Sequence, residues 1–194
     1  QSPHLPRGLS VEVAVSSLND ERSLRAAMVG VDTVYHLAGV ERQGAYADLM
    51  KVDIQGTQSV TRTAKDAQVK RIFFLSHLGA DRASAYPILK AKAIAEEAIR
   101  RSGIDYTILR SAIVYGPNDG FTTALAGLIA TVPSLYLMPG DGRTLIQPLW
   151  IEDLVTCLVW ALDNERILNE TLEIGGPEYL TFRQVLELIM DAID

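Results

Sequence analysis

The chain has 194 residues, 48% of them hydrophobic and 22% charged, with a formal charge of −6; this suffices for one well-filled α/β domain with at most a small appendage. The negative balance, without a lysine/arginine cluster, argues against a nucleic-acid or anionic-membrane surface, and the single cysteine, Cys157, excludes an intrachain disulfide. A membrane span would need roughly 20 apolar residues in a row and none is present, so the expectation is a cytoplasmic protein with no integral membrane segment.

The first residues, QSPHLPRG, read as a loop. Val11 to Val15 alternates around Glu12 and predicts a strand that runs out into Ser16-Ser17-Leu18. Asn19 and Asp20 are helix caps and Glu21 suits the positive end of a helix dipole; Leu24, Ala27 and Met28 give the buried stripe, and Gly30 stops the helix. Residues 33–37 form the next strand, which ends in His36-Leu37-Ala38-Gly39. His36 reads as a structural histidine on that strand. It, His4 and His77 have no metal-ligand spacing with a carboxylate or thiol, so no metal site is expected. A long helix is predicted over 46–67, with Leu49, Val52, Gly56, Val60 and Ala64 on one face and Gly56 admitting a close helix contact. Arg71 to Ser76 is a compact apolar strand.

Residues 84–117, SAYPILKAKAIAEEAIRRSGIDYTILRSAIVYGP, hold the densest pattern. Ile88, Ala91, Ala95, Ala98 and Ile99 fall at helical spacing. Pro87 suits a first turn, so Tyr86 belongs at or before the cap, and Gly103 ends the helix. Tyr106 to Leu109 reads as a strand covered on both faces. An apolar helix over 121–132 follows, then a strand or turn around Leu135 to Arg143. A helix from Asp153 to about Leu162 has Cys157 as core packing. A strand over 171–174 precedes a last helix, with Thr181 as N-cap and Gln184 completing a capping box. Val185, Leu186, Ile189 and Ile193 are its buried stripe. The alternation predicts a three-layer α/β fold with a doubly wound, mainly parallel sheet and right-handed connections.

Lys92, Glu96, Ser102-Gly103, Asp105-Tyr106-Thr107, Leu109-Arg110 and Tyr115-Gly116-Pro117 together resemble the active-site helix and following strand of the short-chain dehydrogenase/reductase superfamily. The similarity is to its extended (epimerase/dehydratase-like) and atypical branches. It extends from about Val11 to Phe182 and implies NAD or NADP as cofactor. No strand here is followed by Gly-x-x-Gly-x-x-Gly opening a helix, so the chain is read as a fragment lacking the first β-α-β unit. The expected organisation is a partial dinucleotide-binding domain over 1–116, a substrate lobe over 117–148, and a return to the sheet with a C-terminal helix over 149–194.

The resemblance assigns candidate residues by position. Ser17 stands where the family has the aspartate that accepts from the adenine amino group, with Leu18 beside it. Leu37, Ala38 and Gly39 would lie along the ribose and pyrophosphate, and Tyr115 by the nicotinamide. Asp153 is assigned a loop-supporting role. Ser76 takes the place of the catalytic serine. Asp53-Ile54-Gln55-Gly56-Thr57 replaces the family's Asn-x-x-Gly-Thr. A catalytic tyrosine precedes its lysine by four residues and shares a helix face with it; its pKa is lowered by the lysine charge. Tyr86 and Lys90 have that spacing, but Glu96 and Ser102-Gly103 select Lys92, and four residues before Lys92 is Ile88. Tyr86 stands six residues before Lys92, about 600° around a helix. Either a loop shift brings Tyr86 over the nicotinamide, or the catalytic acid is missing.

Two functions follow. One is an NAD(P)-binding oxidoreductase or epimerase/dehydratase-like enzyme with an unknown small-molecule substrate. The other is a non-catalytic binder: a sensor resembling the nitrogen-metabolite-repression (NmrA-like) regulators, or an accessory subunit resembling the one in respiratory complex I. A structural fragment that needs a partner is a third, weaker reading.

Overall fold

The computed structural model describes residues 8, 11–40, 43, 46–131, 138 and 140–193. In chain order the elements are α1 (Glu21–Met28), β1 (Thr33–His36), a stretch of wide π-type turns (Met50–Gly56) continuing into α2 (Thr57–Asp66), β2 (Arg71–His77), α3 (Pro87–Arg100), β3 (Asp105–Ser111) and β4 (Val114–Tyr115). They continue as α4 (Thr122–Thr131), β5 (Leu145–Ile146), β6 (Leu149–Trp150), α5 (Ile151–Leu162), a 3₁₀ turn (Glu165–Ile167), β7 (Glu170–Ile174), β8 (Leu180–Thr181) and α6 (Phe182–Ile193). The main sheet has the order β1-β2-β3-β7 with every pair parallel. Two small ribbons, β4 with β6 and β5 with β8, connect it to the α4–α6 region.

The central strands are apolar on both faces because both faces are covered. Ile72 of β2 packs with Leu24 and Met28 of α1 and with Val60 and Ala64 of α2. Phe74 and Ile108 meet Ala95 and Ile99 of α3. On the opposite face Leu109, joined by Leu75, packs on Leu154 and Leu158 of α5. Ile72, Phe73, Phe74 and Ile108 are at most 2% exposed. Each such side chain contributes about 1.5–3 kcal/mol through burial.

Local signals position the ends. Asp20 caps α1 by accepting from the Ser23 N–H. Pro87 starts α3 with Tyr86 as N-cap, and Gly103 takes a left-handed φ of +77° after it. At α6 the Ser/Thr-type box closes: the Gln184 N–H donates to Thr181 Oγ1 and the Thr181 N–H donates to Gln184 Oε1.

Several expectations are corrected. Val11 to Val15 is not a strand. It has no ladder partner among the described residues and leaves Val11, Val13 and Val15 exposed. Ala27 is exposed while Leu24 and Met28 are buried. The helix expected over 46–67 begins at Met50, its first seven residues have the wide π spacing, and Tyr46 is exposed outside it. Gly56 does admit a close approach, but to the Leu18 side chain and not to a helix. The fifth helix starts at Ile151, two residues before Asp153, which stands exposed in its first turn. Cys157 is half-buried because α5 turns Val155, Val159 and Trp160 outward. Of the strand or turn expected from Leu135, most lies outside the described residues.

Candidate functional site

Side chains alternate along a strand, and that parity sorts the carboxyl ends of β2 and β3 into two environments. Phe74, Ser76 and Arg110 face α3; Leu75, His77 and Ser111 face the other way. Ser76 is 1% exposed and its hydroxyl donates to Glu96 Oε1 at 2.6 Å. Glu96, itself fully buried on α3, also accepts from Arg110 Nε at 2.9 Å, from Arg110 Nη2 at 2.8 Å and from Arg100 Nη2 at 2.8 Å. Burial, the largest influence, pushes the Glu96 carboxyl up, but the bonds from Arg110, Ser76 and Arg100 outweigh it and hold the group below its ordinary range. Ser76 is thus tied into a carboxylate–guanidinium knot.

A second buried cluster lies one turn back on α3. Lys92 Nζ is 3.1 Å from Asp53 Oδ1, with both side chains at most 4% exposed. Lys92 also stands over the Phe74 ring at 5.4 Å. The residue in the family's asparagine position therefore does meet the lysine, as a charge partner. The π-type turns carry Asp53 there, and Thr57 donates back to the Asp53 carbonyl at 2.6 Å. His36 Nε2 is 2.9 Å from Thr57 Oγ1, and its ring stacks on Phe74. Burial first, and then the Lys92 charge, pushes the His36 pKa down to about 4. His36 is a neutral, structural histidine.

Tyr86 is on neither cluster: as the N-cap of α3 it is 69% exposed. Lys90 is exposed as well. The structure thus brings Lys92 together with Asp53 and Ser76 together with Glu96, and it leaves Tyr86 apart from both. Tyr115 tilts against Trp150 at 5.3 Å and lines a separate groove between α4 and α6. Ser17 is exposed, its hydroxyl accepting from the Asn19 N–H at 3.4 Å; Leu18 packs on the α1–α2 core. Leu37, Ala38 and Gly39 follow β1 at the carboxyl edge, with Leu37 and Gly39 exposed and Ala38 half-buried.

A cavity of about 650 Å³ opens over the carboxyl ends of β2 and β3. Its walls include His77, Leu78, Ile88, Leu89, Ser111, Ala112, Ile113, Gln147 and Tyr179. Sequence reasoning missed His77, Gln147 and Tyr179. For His77 the signal was there, since it follows Ser76 and so takes the opposite face of β2. Gln147 had none, because its position depends on two glycines 28 and 29 residues away. A Cβ on Gly175 would collide with the Gln147 side chain, and one on Gly176 would collide with the Pro148 carbonyl oxygen. Into the space these glycines leave, Gln147 Nε2 donates to the Gly176 carbonyl at 2.6 Å.

A parallel α/β sheet with a ligand-sized cavity beyond its carboxyl ends defines a doubly wound, Rossmann-type protein. The residues present at the carboxyl edge beside that cavity fit a dinucleotide. Small residues, half-buried Ala38 and exposed Gly39, follow β1, and Ser111-Ala112-Ile113 floors the cavity beyond β3. The cofactor would supply hydride chemistry; these residues would bind and orient it. The chain belongs to the NAD(P)H-binding family, whose profile matches residues 1–126.

Among curated proteins, the chain is 30% identical to "NADH dehydrogenase [ubiquinone] 1 alpha subcomplex subunit 9, mitochondrial" of Arabidopsis thaliana, over 90% of this chain and 44% of that protein. It is 33% identical to "Sterol demethylase protein B" of Methylococcus capsulatus, over 93% of this chain and 60% of that one. The chain thus spans about half the length of these relatives. Among solved structures, the Thermus thermophilus UDP-glucose 4-epimerase in complex with NAD has a TM-score of 0.77 at 21% identity, covering 97% of this chain and 70% of that one. The dTDP-glucose 4,6-dehydratase DesIV of Streptomyces venezuelae, with NAD bound, has a TM-score of 0.76 at 23% identity, covering 92% and 62%. The epimerase/dehydratase-like fold expected from the sequence is the fold of this chain, and NAD(P) is its cofactor class.

Proposed function

We propose that the chain belongs to an NAD(P)-binding protein that works without the tyrosine–lysine proton relay, in the manner of an accessory or sensing subunit. The observation that carries this reading is the dispersal of the three candidate catalytic groups. Ile88 fills the cavity wall one turn before Lys92, Lys92 is paired with Asp53, Ser76 is bound to Glu96, and Tyr86 faces outward. The names of the complex I relatives favour the accessory role over a free-standing NmrA-like sensor. On this reading Ser17, Leu18, Leu37, Ala38 and Gly39 border the dinucleotide. Ser76 and Lys92 stiffen the floor beneath it, Tyr115 belongs to the α4–α6 side, and residues 117–148 form the lobe over the second ligand.

The test uses the full-length protein. Calorimetric titration with NADPH and NADH is expected to give micromolar binding to at least one. A turnover screen with reduced cofactor is expected to show no hydride transfer that Tyr86→Phe abolishes; such a loss would sink the proposal. Lys92→Met is expected to lower stability by about 3–5 kcal/mol, because it removes the buried ammonium 3.1 Å from the buried Asp53 carboxylate. Chemical denaturation reads that loss.

One observation favours a second reading, a reductase: His77 is on the cavity wall, where a proton donor would stand. Turnover that survives Tyr86→Phe and is lost in His77→Gln would support it. No described helix is long and apolar enough to cross a membrane. Cytoplasmic placement stands as a proposal beside the mitochondrial names of the relatives, and imaging of the tagged full-length protein decides between them.

A further inference from the structure

The cavity over β2 and β3 has walls that speak to the chemistry of its second occupant. Leu78, Ile88, Leu89, Ile113 and Ile146 make most of its surface aliphatic. Among the described lining residues there is no aspartate, glutamate, lysine or arginine; the polar groups are His77, Ser111, Gln147 and Tyr179. A nucleoside diphosphate carries two or more negative charges and is held by guanidinium, ammonium or backbone N–H donors. The N-terminus of α3 borders the cavity at Ile88 and Leu89, so any anion there would have only backbone N–H groups and no cationic side chain to hold it. Although the fold is shared with enzymes solved with UDP-glucose, the described walls of this cavity offer such a molecule no charged side chain.

Gln147 is a polar feature with a fixed orientation. One amide hydrogen is committed to the Gly176 carbonyl; the glycine at 175 is what lets the side chain lie there, and the one at 176 admits the neighbouring Pro148 backbone. The second amide hydrogen can donate to a ligand carbonyl or hydroxyl oxygen, and Oε1 can accept from a ligand hydroxyl. A cavity of about 650 Å³ has room for a drug-sized molecule.

We propose that this cavity takes an uncharged, mainly hydrocarbon molecule with a carbonyl or hydroxyl oxygen held at the Gln147 amide, and not a sugar nucleotide. The proposal rests on the dinucleotide reading only for what lies beside the ligand, and the two fail separately. Full-length protein is titrated with the neutral fluorophore N-phenyl-1-naphthylamine. The uncharged bicyclic ketone 2-decalone and UDP-glucose then serve as competitors, and NADPH is titrated independently by calorimetry. The expected result is fluorophore binding that 2-decalone displaces and UDP-glucose does not. Ile113→Asp and Leu145→Asp, each placing a carboxylate on the wall, are expected to weaken the fluorophore about tenfold. Leu145 is largely exposed, so its variant keeps the test open if Ile113→Asp does not fold. Gln147→Leu is expected to weaken 2-decalone about fivefold, the worth of one hydrogen bond, while sparing the fluorophore. Displacement by UDP-glucose, or fluorophore affinity unchanged in both aspartate variants, overturns the proposal. Absent NADPH binding with the other results intact would sink the dinucleotide reading alone.

Discussion

His36 and Glu96 are both buried titratable groups, and they act on stability in different pH windows. The His36 pKa is pushed from 6.5 to about 4 in the folded protein, so the unfolded chain binds more protons between those values. Linkage then makes stability fall as pH drops from about 6.5 to 4, by on the order of 3 kcal/mol at roughly 1.4 kcal/mol per pH unit. Glu96 is a carboxylate whose folded value is depressed below 4.5. Its contribution is fully present above 4.5 and is lost only as pH falls through the lower folded value. Denaturant midpoints measured from pH 7.5 to 3.5 are expected to be flat at the top, to slope from about 6.5, and to steepen below 4.5. His36→Asn should remove most of the first slope and leave the second. A first slope unchanged in the variant would mean that another group carries it.

At the scale of elements, short-range chemistry was legible and long-range pairing was not. The α6 capping box was readable because its partners, Thr181 and Gln184, are three residues apart and meet by backbone geometry alone. Thr181→Ala is expected to cost about 1 kcal/mol. Gly176→Ala should cost more, since its Cβ would strike the Pro148 carbonyl, which is backbone and cannot swing away. Thermal unfolding of the two variants side by side checks the order. The same contrast explains the misreadings. Val11 to Val15 has a strand's alternation, but a strand needs a neighbour, and none of the described strands pairs with it. The register of Lys92 against Ile88 was readable from spacing along one helix. That Ser76 would be drawn to Glu96, leaving His77 to the cavity, required knowing which face of β2 meets α3.

Across the whole molecule, protection should follow the layering of the sheet. β2 and β3 are interior strands covered on both faces, with side chains at Ile72, Phe73, Phe74 and Ile108 almost wholly out of water. Opening them exposes both apolar faces at once, so their amides should exchange only through global unfolding. β1 lies at the edge of the sheet among the described residues, and its Tyr35 is partly exposed even while stacked on Phe73. The α4 helix buries none of its residues despite having no charged side chain, and so little burial opposes its opening. Hydrogen exchange followed by mass spectrometry is expected to rank β2 and β3 slowest, β1 intermediate and α4 fastest. Adding NADPH to the full-length protein should slow exchange most at residues 37–39 and 111–113, which border the carboxyl-edge site, and least at α4. Slowing confined to α4 and α6 would place the dinucleotide in the groove that Tyr115 lines and not along the carboxyl edge of β1 and β3.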